Sequence, residues 1–181
     1  GAYSMPYRPS PLSFKVDEQE SFNERPTSTQ QTGFTFVGQM RSWLPDAVGG
    51  IVWWGNDDAN MVPYAPVYCG VNEIPECYVR IAGEQDELVF SWKSAFWMQN
   101  TVSNMVYPYY SKIYPDLRKA IDELETAYAK EIADIDNEGK KLCESQPNAV
   151  GRYLANYSNR AANQMMERWE SLFRYLVVKH N

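Results

Sequence analysis

TQQTGFTFVGQMRSWLPDAVGGIVWWGNDDANMVPYAPVYCG, residues 29–70, holds two strands and the turns between them, and the rest of the chain reads as support for it. Phe34, Phe36 and Gly38 fall on one side and Thr35, Val37 and Gln39 on the other, the period-two pattern of a strand. Gln39 and Arg41 then project the same way, because side chains two apart on a strand share a face. Gly49-Gly50 punctuates before a second strand, Ile51-Val52-Trp53-Trp54, which the Gly55-Asn56-Asp57-Asp58 turn closes. The two strands read as neighbours in one antiparallel sheet, joined through Leu44-Pro45-Asp46. Trp53 and Trp54 face opposite ways in such a strand, so one can line a pocket while the other packs.

On either side the chain stays strand-like. Residues 1–11 are rich in Pro and Tyr and read as extended, residues 12–16 alternate as a short strand, 17–19 make a turn and 21–25 return. Residues 26–32 are a polar lead into the central strands. Pro63 and Pro66 reduce 61–71 to an irregular or edge segment, with Tyr64 and Tyr68 as packing residues. Tyr78-Val79-Arg80-Ile81 reads as one more strand before a turn at Gly83.

From Phe90 the period changes. Ser91 or Ser94 caps a helix with Trp92, Phe96, Val102, Met105 and Val106 as its apolar positions, ending near Pro108. Asp116, after Pro115, opens a second helix with a stripe of Leu117, Ile121, Leu124, Tyr128, Ile132 and Ile135, and Gly139 lies near its end. A third starts around Pro147 and carries Val150, Leu154, Tyr157, Ala161, Met165, Trp169, Leu172 and Leu176 along one side. Stripes of similar length indicate an antiparallel helical hairpin. The reading is an α+β fold: mainly antiparallel β over 1–90, with a helical region over 91–181 packed on it.

At 181 residues and 44% hydrophobic, the chain can build a sizeable core. A net charge of −6 argues against a nucleic-acid partner, which asks for a basic face. No apolar run approaches the roughly 20 residues that cross a bilayer, so no membrane partner is expected. Cys69, Cys77 and Cys143 are too few and scattered for a disulfide framework, although a Cys69–Cys77 bridge is conceivable. Their spacing fits no metal site, and no cofactor is expected. The compartment stays open, with periplasmic or secreted slightly favoured over cytoplasmic.

Three residues are candidates for contact with a ligand. Arg41 emerges at a strand end beside aromatic rings, where a guanidinium holds a carboxylate or steadies an oxyanion; the alternative is a structural ion pair. Gln39 shares its face, and Trp53 can line the same pocket. Asn56-Asp57-Asp58 reads as an ordinary turn rather than a calcium loop. Cys69 has no histidine, basic neighbour or helix start to activate it and reads as a buried, unreactive thiol. The single histidine, His180, lies in a tail expected to fray, which leaves no basis for a histidine-dependent triad.

The series Thr29-Gln30, Gln39-x-Arg41, Leu44-Pro45, Trp53, Tyr64-x-Pro66-x-Tyr68-x-Gly70 and Pro75 resembles the dipeptidase A-type family, cysteine dipeptidases of the N-terminal-nucleophile (Ntn) hydrolase superfamily. Pro6-Tyr7-Arg8-Pro9, Asn23-Glu24-Arg25-Pro26, Phe90-Ser91-Trp92 and Ser94-Ala95-Phe96-Trp97 extend the likeness over roughly residues 6–110. The resemblance implies that the sheet belongs to a four-layer αββα sandwich and that this chain is the C-terminal portion of a dipeptide hydrolase. Such an enzyme works through a cysteine at the mature N-terminus, whose own α-amino group serves as the base. That nucleophile has no match here, so the chain alone is expected to be inactive. Its implied partners are the N-terminal half of the same enzyme and a short peptide. Faces left open without that half would promote self-association into a homo-oligomer. The alternative from another class is a non-enzymatic, aromatic-rich binding module for a glycan or protein, which needs at least two rings in water on one face. The dipeptidase reading expects the rings mostly buried.

Overall fold

A computed structural model of the chain describes residues 12–24 and 28–180. The fold is α+β, two small antiparallel sheets followed by long helices. The first sheet is a hairpin of β1 (Leu12–Val16) and β2 (Gln19–Glu24). Asp17 and Glu18 join them with φ of 50° and 64°, the left-handed pair that a two-residue type I′ turn requires. So short a turn starts the return at Gln19, earlier than the alternation places it. The readings for residues 1–11 and 25–27 lie outside the described residues.

The second sheet has β3 (Phe34–Met40), β4 (Gly50–Asn56) and β5 (Ala65–Tyr68) in that order, all antiparallel. β3 and β4 are the two strands legible in residues 29–70, and Phe36 faces Trp54 and Val37 faces Trp53 without a register shift. Between them the Pro45 carbonyl accepts the amides of Val48 and Gly49, each at 2.8 Å, which winds one helical turn, α1 (Asp46–Gly49). β5 is an edge strand that carries Pro66 opposite Trp53. The strand expected over 78–81 does not form. Pro75 opens a 3₁₀ turn over Glu76–Tyr78 instead, and the Gln85 amide donates to the Glu76 and Val79 carbonyls at 2.9 and 2.7 Å.

Three helices complete the chain: α2 (Ala95–Val106), α3 (Tyr110–Ser145) and α4 (Val150–Lys179). α2 buries Val102 and Val106 as expected, but Trp92 lies ahead of the helix and is half-exposed. Polar Gln99 and Ser103 take inward positions because both have partners there: Gln99 Oε1 accepts the Asn56 amide at 2.8 Å, and Ser103 donates to the Gln99 carbonyl. α3 begins at Tyr110 rather than Asp116, with Pro115 inside it. Packing explains the early start, since Tyr110 and Ile113 are buried in the core and Tyr110 stacks on Tyr114 at 4.6 Å; Pro115 forgoes one ladder donor. Gly139 is well inside α3: a Cβ there would stand 3.1 Å from Val48 Cγ2, so the bare backbone lets α3 close on α1. All eight expected stripe residues of α4 are buried.

α3 and α4 are antiparallel, as ion pairs Arg160–Glu131, Arg168–Glu123 and Lys179–Asp116 step along them in opposite directions. Their stripes and α2 form one buried cluster with Met61, Val62 and Ala65; Val48, Ile51 and Tyr68 form another with Val150, Leu154 and Tyr157. Among the described residues no helix is long and apolar enough to cross a membrane.

Candidate functional site

Opposed residues of an antiparallel pair share a face, so the register sorts the sheet. Ile51, Trp53 and Tyr68 look toward the helices, while Phe34, Phe36, Met40, Val52 and Trp54 look away. Ile51 and Tyr68 are fully buried, whereas Phe34, Phe36 and Met40 are 55%, 58% and 74% exposed. One face is roofed by α4; the other is an apolar surface in water along β3, while toward β5 it is covered, with Ala65 fully buried and Trp54 against Tyr78. Its rings engage one another, with Phe34 and Phe36 stacked against Trp54 at 5.0 and 6.4 Å. Expected burial of most rings thus fails along β3, where Phe34 and Phe36 stay exposed.

Arg41 follows β3 and is only 5% exposed. Its Nη2 donates to the Val48 carbonyl at 2.8 Å, its Nε to the Gly49 carbonyl at 3.3 Å, and its Nη1 pairs with Asp136 of α3. Tyr68 donates to the other Asp136 oxygen at 2.7 Å, and the guanidinium carbon lies 5.7 Å from the Tyr68 ring centre. Burial, together with the Asp136 carboxylate, pushes the Tyr68 hydroxyl well above its usual range. The carboxylate that Arg41 holds is therefore the chain's own. Gln39 is exposed, and its Oε1 accepts the Trp53 indole N–H at 2.9 Å. These residues sit at the Met40 end of β3. A cleft of about 540 Å³ opens at the Phe34 end, bounded by Asn56, Tyr78, Gln85 and Ser94. The structure does not bring the two together.

The 56–58 turn holds polar groups that pattern reasoning missed. Asp57 has φ 83° and is 1% exposed, with Oδ1 accepting from Asn100 at 3.2 Å and Oδ2 buried without a partner. Burial pushes its carboxyl up to about 6, outweighing the hydrogen bond from Asn100. Asp58 accepts from Tyr107 at 2.8 Å, from the Asn60 amide at 3.1 Å and from Ser28. The sequence signal for these partners is the run of tyrosines at 107, 110 and 114, to which the sequence pattern assigns no role. Among the described residues no three or more His, Cys, Asp or Glu side chains group to hold a metal ion.

All three cysteines are free thiols. Cys69, expected to be buried, is exposed; it follows β5, its amide on the Gly50 carbonyl and its side chain against the bare Gly50 backbone. Burial pushes the Cys77 thiol up to about 12, which leaves it unreactive. His180 lies against α3. Its Nε2 lies 3.2 Å from Asp116, which also accepts from Lys179.

Residues 5–123 match Peptidase family C69. The chain belongs to that family. It is also similar to a "Probable dipeptidase" of Latilactobacillus sakei, 26% identical over 172 residues, or 93% of this chain and 33% of the relative. This C69 chain thus spans about a third of the length of the curated relative it matches. Gln39, Arg41, Trp53, Tyr68 and Gly70 all lie within the C69 match. In the structure Arg41 and Tyr68 meet on Asp136 of α3 and Gly70 lies against the Ala47 carbonyl of α1, which hold the sheet to its helices, while Gln39 and Trp53 join β3 to β4.

Proposed function

We propose that this chain is the C-terminal part of a C69 dipeptidase, an Ntn-type enzyme whose nucleophile is a cysteine at the mature N-terminus of a preceding segment. The observation that carries the reading is the one-sided sheet. α4 covers one face, and the opposite face presents Phe34, Phe36 and Met40 to water, an apolar surface that a second sheet would bury. The N-terminal half is the partner that supplies that sheet, giving the αββα layering. In such an enzyme the cysteine thiolate attacks the peptide carbonyl, the α-amine takes and returns the proton, and water releases the acyl group.

Within this chain, Gln39 and Trp53 are the candidates for contact with the peptide, because Gln39 is exposed and its side chain is held by the Trp53 indole. Arg41 acts as a positioning residue, fixing the β3–α1 connection through Asp136 and the Val48 carbonyl. The test is hydrolysis of a panel of dipeptides by this chain alone and by the chain fused behind the N-terminal part of a C69 dipeptidase. Turnover only in the fusion supports the reading. Turnover by the chain alone places a nucleophile among these residues, and silence in both removes the dipeptidase assignment.

A further inference from the structure

Strand β3 is the outer strand of its sheet, and nothing among the described residues pairs with its free edge. Natural edge strands are guarded by lysines, prolines, bulges or inward charges. FTFVGQM has none of these, and its register with β4 runs unbroken. Six of its seven residues are exposed, the exception being half-buried Thr35.

The hydrogen bonds that bracket the strand show which groups are unspent. The Gly33 carbonyl accepts the Asp57 amide at 3.0 Å, and the Arg41 amide donates to the Gly49 carbonyl at 2.9 Å. Odd-numbered residues therefore turn their backbone groups toward β4. Antiparallel ladders alternate, so Phe34, Phe36, Gly38 and Met40 direct N–H and C=O outward.

We infer that two copies of this chain pair antiparallel along β3, about a two-fold axis at Val37. Only outward-facing residues can exchange hydrogen bonds across the new edge. The register that uses the whole strand sets Phe36 opposite Gly38 and Phe34 opposite Met40, each pair exchanging both bonds. Val37 meets its own copy in a non-hydrogen-bonded position, where side chains come closest. Side chains agree with this register. Phe36 lies over Gly38, where an added Cβ would meet only Met40 Cε at 3.9 Å. Phe34 meets the Met40 thioether, a favourable aromatic–sulfur contact. Thr35 meets Gln39, and no charge opposes a like charge. The sheets join in the order β5-β4-β3-β3-β4-β5, and the two apolar faces become one. Two short strands bury less than the roughly 800 Å² per partner of a standard interface, which makes this a weak, concentration-dependent contact. The inference rests on the edge alone and stands apart from the dipeptidase reading.

Sedimentation velocity over a concentration series tests it. The expected result is a reversible monomer–dimer equilibrium. Val37→Lys sets two ammonium groups face to face at the axis, and Gly38→Pro deletes an outward donor without touching the β4 ladder. Both are expected to give monomers with unchanged circular dichroism. Should the proline variant fail to fold, Val37→Lys decides. Val37→Cys is expected to oxidise to a covalent dimer, since opposed Cα atoms at such a position stand about 4.5 Å apart. Thr35→Cys, displaced from its mate, is expected to cross-link no more than the wild type. A wild-type monomer at all concentrations, a dimer that survives Val37→Lys, or equal cross-linking at 35 and 37 overturns the proposal.

Discussion

Arg41 and Asp136, 95 positions apart in the chain, form an ion pair that ties the end of β3 to the last third of α3. Tyr68 completes the arrangement from β5, so a strand end, an edge strand and a helix share one carboxylate.

Removing one partner strands the other charge in a nearly closed site. Arg41→Ala is expected to lower unfolding free energy by about 3 kcal/mol, because an uncompensated buried charge costs far more than the pair contributes. Replacing both partners, Arg41→Met with Asp136→Leu, is expected to recover most of that loss. Urea denaturation of the single and double variants checks it; a loss below about 1 kcal/mol would mark a solvent-screened pair instead.

Asp57 sets a pH dependence of definite sign. Its carboxyl titrates at about 6 in the folded chain against 3.8 for the free group. The folded state therefore holds its proton more tightly, and stability falls as pH rises from 3.8 toward 6, with the full penalty above that. Asp57→Asn keeps an acceptor for Asn100 and tolerates the positive φ. It is expected to be more stable than the wild type at neutral pH by up to about 3 kcal/mol. Below pH 4 the difference should vanish, which thermal melts at several pH values would show.

Trp169 is the largest fully buried side chain, and its Nε1 has no hydrogen-bond partner. Trp169→Ala is expected to cost about 3–5 kcal/mol through the cavity it leaves. Trp169→Phe removes volume but also an unsatisfied donor, so its cost should stay near 1–2 kcal/mol. Chemical denaturation of the two variants side by side separates the cavity from the orphaned N–H.

Gly70 has backbone where a side chain would go: a Cβ there would stand 2.1 Å from the Ala47 carbonyl oxygen. Gly70→Ala must push α1 away from the end of β5 and is expected to destabilise by more than about 3 kcal/mol. At Gly139 the obstacle is a Val48 methyl at 3.1 Å. Gly139→Ala gains helix propensity of roughly 1 kcal/mol in return and should be close to neutral. Melting temperatures of the two variants rank them directly.

The legible parts of the fold are those with an apolar period. β3 alternates, β4 is a short apolar run between turn residues, and every stripe residue of α4 is buried. Where tertiary partners replace the apolar signal, the sequence misleads. Gln99 and Ser103 occupy inward positions of α2 because Asn56 and the Gln99 carbonyl receive them. Tyr110 starts α3 ahead of a proline because it has a core to enter. The neighbourhood of Arg41 could be foreseen from β3 alone, but its partner could not. Asp136 is one acid among many on α3, and nothing local distinguishes it from its solvated neighbours. Asp57 and Asp58 read as a surface turn for the same reason, since their burial comes from α2 and from Tyr107.

The roof over the sheet arrives late in synthesis. The Tyr68 amide donates to Ser158 of α4, 90 residues further on. At about 5–20 residues per second a ribosome takes roughly 5–18 s to supply that helix. Through that interval the nascent sheet has both apolar faces uncovered and β3 unpaired at its edge. The helical hairpin, built from near neighbours, can form quickly once it emerges. A nascent chain held before α4 should therefore be the species that chaperones engage, and release should follow the exit of Tyr157 and Ser158.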